Sequence, residues 1–140
     1  YFAGYGKAGM AEMQWLIPHP RFESFAGALA EVVARDRPRI ALMSSKLFAG
    51  VADGLAFDGH GIALAIHVPS PAQPTQREFI DALADLAIAH SGRPNLIKDS
   101  TLDATTARRA IADFDHARSR LATHNPGGLY QSELTRRLAL

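Results

Sequence analysis

Lys98 is the side chain best placed by its context to do chemistry. It closes the short run Asn95-Leu96-Ile97-Lys98, which reads as a fourth strand, and Asp99 and Ser100 follow it. A lysine at the end of a central, apolar strand can stabilise an anion, or a ring atom that gains negative charge during reaction. The alternative is an ordinary structural ion pair. Gln14, in a first strand, carries an amide that both donates and accepts hydrogen bonds. Lys46, in a second strand, shares one face with Leu42 and Ser44. It is either a solvated edge residue or a cation over an open sheet face. In a third strand, Ile62, Leu64, Ile66 and Val68 fall on one face and Ala63, Ala65 and His67 on the other. Two successive alanines on that face leave space for a flat ligand or for a closely packed neighbour.

Other chemistries find little support. The chain has no cysteine, which excludes disulfides, thiolate metal sites and cysteine nucleophiles. Its six histidines lack the i, i+4 pairing with a carboxylate that marks a helical zinc site, so no metal is expected. There is no G-x-S-x-G and no Walker A motif. The glycines of Gly4-Tyr5-Gly6-Lys7-Ala8-Gly9 follow no strand, as a dinucleotide fingerprint would require.

A scaffold must bring these groups together. Residues 1–10 read as a loop. From Ala11 to Ile17, Met13, Trp15 and Ile17 alternate with Glu12, Gln14 and Leu16, a strand pattern that Pro18 and Pro20 close. Phe22, Phe25, Leu29, Val32 and Val33 recur at helical spacing, predicting a helix over 21–35. Strands over 40–48 and 61–68 follow, and then a helix over 75–90 with the stripe Phe79, Leu83, Leu86, Ala87 and His90. With the fourth strand at 95–98 the order is βαββαβ. That is the α+β, ferredoxin-like arrangement: an antiparallel sheet with both helices on one face. The second face is not clearly polar and is expected to meet a partner domain or a ligand. Residues 101–124 read as one helix, capped by Thr101 or Asp103, with Ala107, Ile111, Phe114 and Leu121 as its stripe. A last short helix covers 131–138, with Ser132 near its start. Two units are expected: 1–100 as a partial cap domain, and 101–140 as a C-terminal helical segment packing on it or on another domain.

The 140 residues suffice for one ordinary domain, and 47% hydrophobic with 21% charged residues is a globular balance. A formal net charge of +1 gives no electrostatic case for nucleic acid or an anionic membrane. No apolar run approaches the roughly 20 residues of a transmembrane helix, and no leader pattern is visible at Tyr1. A cytoplasmic location is expected, with at most peripheral membrane contact. The chain begins without methionine and is expected to be a fragment.

The order of several short motifs resembles the C-terminal part of FAD-linked oxidases of the vanillyl-alcohol-oxidase type, the decaprenylphosphoryl-β-D-ribose 2′-oxidase-like group in particular. The residues concerned are Tyr5-Gly6-Lys7-Ala8-Gly9-Met10 with Glu12-Met13-Gln14-Trp15-Leu16-Ile17-Pro18, then Ser45-Lys46-Leu47-Phe48 and Asn95-Leu96-Ile97-Lys98-Asp99-Ser100. They end with Asn125-Pro126-Gly127-Gly128-Leu129-Tyr130-Gln131-Ser132-Glu133-Leu134 and Arg136-Arg137-Leu138. The resemblance implies an oxidoreductase that passes hydride from a sugar or polyol alcohol to FAD. An FAD-binding domain would lie upstream in the same protein, and this chain would roof the active site. It assigns Lys98 and Asn95 to the cofactor, with Lys98 as the catalytic group that stabilises the anionic reduced flavin. It assigns Gln14, Leu42, Ser44, Lys46, Ala63 and Ala65 to the substrate pocket. Members of the group often carry asparagine and cysteine at the positions of Ala63 and Ala65, so the implied pocket here has lost a hydrogen-bonding group. The competing expectation is a stand-alone ferredoxin-like module that binds or dimerises through its open sheet face, without catalysis.

Overall fold

The computed structural model describes residues 7–140. The loop expected around Gly4 and Gly6, and the Tyr5-Gly6 part of the N-terminal motif, lie outside the described residues.

Four strands form one antiparallel sheet in the order β2-β3-β1-β4. Strand β1 spans Met10–Pro18, β2 Leu42–Ala49, β3 His60–Pro69 and β4 Arg93–Pro94. β1 and β2 flank β3, with Met10 opposite Pro69 at one end of the first ladder and Leu42 opposite His67 at the corresponding end of the second. This is the ferredoxin-like order, in an α+β chain. A close approach fixes the β1–β3 register at Gly61. A Cβ there would stand 2.2 Å from the carbonyl oxygen of Ile17, so no larger residue fits.

Helix α1 (His19–Asp36) begins directly after β1. The two prolines that end the strand pattern also start the helix: Pro18 is its N-cap residue and Pro20 lies in the first turn, where a missing N–H costs nothing. Arg37, left-handed at φ 46°, ends it by donating its N–H to the carbonyl of Val33. Helix α2 (Pro74–Ala89) likewise opens on a proline. Phe25, Leu29, Phe79, Ile80 and Leu83 bury the helices' inner stripes against Met13, Trp15, Ile17, Leu64, Ile66 and Val68 of the sheet. The bulky face of β3 is therefore the helix face, as its alternation predicts. Gln76, fully buried, ties the α1–β2 link to the end of β3. Its amide donates to the carbonyls of Arg39 (2.9 Å) and Pro69 (3.1 Å) and accepts from the Arg39 N–H (2.9 Å).

The fourth strand departs from expectation. Only Arg93 and Pro94 pair with β1, and β4 is an edge strand, not a central one. Asn95 turns the chain before a longer ladder can form. Its side-chain oxygen accepts from the Ile97 N–H (3.2 Å), and its carbonyl accepts from the N–H groups of Lys98 (3.2 Å) and Asp99 (3.0 Å). Local bonds from an asparagine compete with the ladder in this way.

The expected helix over 101–124 is two helices, α3 (Ala104–Ala110) and α4 (Phe114–His124). Asp103 caps α3, accepting from the Thr106 N–H at 2.7 Å, while Thr101 belongs to the preceding turn. Ile111 is extended (φ −122°, ψ 107°) and breaks the run. Ala107, Ile111 and Phe114 of the expected stripe are buried, but Leu121 is exposed, because the chain leaves the core after Phe114. Helix α5 (Glu133–Leu138) starts at a capping box in which Ser132 accepts from the Thr135 N–H. Leu102, Ala107, Ile111, Phe114 and Leu138 of the tail join the same hydrophobic core as the sheet and its helices. No helix among the described residues is long and apolar enough to cross a membrane.

Candidate functional site

The face of the sheet turned away from the helices carries most of the polar groups singled out by sequence. The two ladders set it out in three rows: Glu12–His67–Leu42, Gln14–Ala65–Ser44 and Leu16–Ala63–Lys46. Ala63 and Ala65 are a buried floor. The side chains of β1 and β2 stand on either side, about 10 Å apart across two strand spacings. Ala63 and Ala65 are only 1% and 6% exposed, so this face, expected to be bare, is already covered at the alanines within the chain itself.

The β1 side is organised by hydrogen bonds. Asn95 donates its side-chain amide to Oε1 of Gln14 (2.6 Å) and its backbone N–H to the Gln14 carbonyl (2.8 Å). Gln14 is buried. The turn over 95–98 brings Lys98 back over the face, where its Nζ lies 3.1 Å from Oε1 of Glu12. Oε2 of the same carboxylate lies 3.9 Å from Nε2 of the buried His67. The Lys98 side chain is 47% exposed. Its pair with Glu12 is thus partly solvated and weak in stabilising terms, but it fixes where the cation stands.

Asp99 is a structural neighbour of this cation. Its Oδ1 accepts from the N–H and hydroxyl of Thr101 (2.9 and 2.7 Å) and from the Leu102 N–H (3.1 Å). Burial, the largest influence, pushes its carboxyl above the ordinary carboxylate range, against the hydrogen bonds from Thr101 and Leu102 and the charge of Arg137. Asp99 holds the turn rigid; it does not face the floor's polar rows.

The expected residues are therefore not one cluster. Gln14, Asn95 and Lys98 come together, and Ala63 and Ala65 lie buried beside them on the neighbouring strand. Leu42, Ser44 and Lys46 are exposed on the far edge strand. Lys46 stands in the row of Leu16, diagonally across from the Lys98–Glu12 pair. Sequence reading missed Glu12 as the partner of Lys98. The signal was its place two residues before Gln14 on the same strand face, but 86 residues separate it from Lys98. It also missed Arg93, whose guanidinium donates to the carbonyls of Ala56 (2.7 Å) and Gly54. This clasp holds the 50–59 loop against the Leu16 end of the face, where Gly59 approaches the Leu16 side chain.

A cleft of about 740 Å³ lies elsewhere, between α4 and α5, lined by Arg118, Leu121, Asn125, Tyr130 and Gln131 among others. Its lining has no Asp, Glu or His side chain, and Tyr130 is the one side chain there of a type that serves in acid–base chemistry. Among the described residues, no three histidines or carboxylates cluster as metal ligands would. No protein-family model matches the chain, and no curated protein is significantly similar to it.

Proposed function

We propose that this chain forms the roof over the flavin in an FAD-dependent oxidoreductase that oxidises a sugar or polyol alcohol. The observation that carries this is the alanine floor with Gln14, Asn95 and Lys98 gathered on one side of it. These three supply amide and ammonium donors suited to the carbonyl-rich edge of a flat heterocycle. The motif order described above supports the same class.

FAD supplies the hydride acceptor when bound. Oxidation of the alcohol to a carbonyl would deliver its hydride to that cofactor and its hydroxyl proton to solvent. Within this chain, Lys98 would hold a positive charge beside such a ring and oppose negative charge developing on it. Glu12 competes for that ammonium, so a ring seated on the floor must share Lys98 with it. Gln14 orients Asn95 through the 2.6 Å bond. The small side chains of Ala63 and Ala65 would let a ring come close once the cover over them moves aside, and the exposed Ser44 and Lys46 would offer donors from the far rim. The reaction would take place in the cytoplasm, with upstream sequence of the same protein binding most of the FAD.

The test is a longer product that includes the sequence before Tyr1. It is expected to purify yellow or to be reconstituted by FAD. In that product Lys98→Ala is expected to slow substrate-driven flavin bleaching by about 100-fold or more, the range seen when one charge-stabilising donor is removed. A colourless product that FAD does not reconstitute overturns the proposal, and normal bleaching in Lys98→Ala removes Lys98 from the chemistry.

A non-catalytic ferredoxin-like module is the second reading. One observation favours it: the tail from Leu102 to Leu138 closes onto the same core as the sheet, so the apolar interior is shared across the chain.

A further inference from the structure

We infer that two copies of this chain pair through the outer edge of β2, continuing the sheet across a two-fold axis at Ser45. Three features converge on this edge. β2 is the last strand on its side of the sheet. Helix α1 packs on β1 and β3, and α2 on β1. Met43 and Leu47 on the helix side of β2 are consequently 44% and 79% exposed. Edge strands that avoid pairing carry prolines, bulges or several charges. In Leu42–Ala49 the only such device is Lys46.

The backbone sets the geometry. The Gly50 N–H donates to the Gly59 carbonyl at 2.9 Å, in line with the β2–β3 register. Antiparallel strands alternate, so Phe48, Lys46 and Ser44 also turn their backbone groups toward β3. Met43, Ser45 and Leu47 then present free N–H and carbonyl groups outward. A two-fold axis perpendicular to the sheet keeps each face continuous, so a residue pairs only with one on its own face.

Side chains choose among the registers that remain. An axis at Lys46 would set two lysines directly opposite each other, which is destabilising. An axis at Ser44 would oppose Met43 to Ser45 and Leu42 to Lys46. An axis at Ser45 opposes Met43 to Leu47 twice on the helix side, and Ser44 to Lys46 and Leu42 to Phe48 on the other. It also uses the strand nearly from end to end. Every outward backbone group of Met43, Ser45 and Leu47 then has a partner, and each exposed apolar residue of the helix side meets another. The occupant this edge fits is a second copy of itself. The interface lies along the strand edge and not over the alanine floor, so it does not depend on the flavin proposal.

Sedimentation velocity on the 140-residue chain is expected to show a reversible dimer. Ser45→Pro removes an N–H that the single chain leaves outward, and Leu47→Glu sets a carboxylate against Met43. Each is expected to raise the dimer dissociation constant about 100-fold with an unchanged far-ultraviolet spectrum; Leu47→Glu stands alone if Ser45→Pro does not fold. Because the chain has no cysteine, Ser45→Cys places one thiol at the axis. Hydrogen-bonded antiparallel partners have Cα atoms about 5.5 Å apart, within disulfide reach. Mild oxidation is expected to link Ser45→Cys into a covalent dimer faster than Leu42→Cys. A chain that stays monomeric to its solubility limit overturns the inference and leaves the edge to a strand from another molecule. A dimer that withstands both Ser45→Pro and Leu47→Glu overturns it in favour of another surface of the chain.

Discussion

β1 and β2 flank the same strand and make ladders of nearly equal length, yet almost every residue of β1 from Ala11 to Ile17 is buried while β2 is exposed nearly throughout. Hydrogen bonding separates them only in part: β1 also pairs with Arg93 and Pro94 of β4, whereas the outer edge of β2 has no such partner among the described residues. What also differs is cover: α1 and α2 lie over β1 and β3, and the turn at Asn95–Lys98 folds back over the far side of β1. A ladder satisfies the backbone, but layers make the core. In this molecule stability is concentrated on the β1 side and accessibility on the β2 side.

Substitutions in the two strands test that contrast. Trp15→Ala, at the centre of β1, is expected to cost about 3–5 kcal/mol in chemical denaturation, the range for truncating a large buried aromatic. A cost below 1 kcal/mol would break the comparison.

Asp99→Asn probes the turn that covers β1, with an intermediate effect that depends on pH. Burial raises the Asp99 carboxyl, so the folded chain holds that proton more tightly than the unfolded chain does. Its stabilising contribution is complete below the ordinary carboxylate value and is lost as pH rises through the raised value. Asparagine keeps an acceptor for Thr101 and Leu102 and carries no charge. Melting profiles of the two proteins are therefore expected to diverge in favour of Asp99→Asn as pH rises from acid to neutral. Parallel profiles would show that Arg137 and the hydrogen bonds offset the burial.

The smallest effect belongs to β2. Leu47→Ala, measured where sedimentation shows a monomer, is expected to change stability by no more than about 0.5 kcal/mol. A loss comparable to that of Trp15→Ala would mean that β2 is covered within the single chain.

The layered α+β fold was legible because Met13, Trp15 and Ile17, and Ile62 to Val68, alternate as a one-sided sheet requires, while Phe25, Leu29, Phe79 and Leu83 recur at helical spacing. The difference between β1 and β2 was not legible. Leu-Met-Ser-Ser-Lys-Leu-Phe reads as a strand wherever it lies in a sheet, and only helix placement decides its burial. The fourth strand was misplaced because Asn95-Leu96-Ile97 has strand composition, whereas the Asn95 side chain closes a local turn that composition does not register. The break at Ile111 escaped for a similar reason: Thr101 to His124 is helical residue by residue, and the interruption follows from seating Ile111 and Phe114 in one core. The face residues Gln14, Ala63 and Ala65 were readable by alternation alone. The Glu12–Lys98 pair was not, since it is made by the reversal of the chain at Asn95.

That reversal also couples distant parts of the molecule. Lys98 is held to Glu12 on one side, and on the other the chain runs through Asp99 to Leu102, whose carbonyl accepts from Arg137 of α5. Only three residues lie between Lys98, whose ammonium stands over the sheet, and Leu102, whose carbonyl the last helix grips. One short stretch of backbone thus carries both the charge above the sheet and the anchor point of the last helix, pinned at its two ends by Glu12 and Arg137.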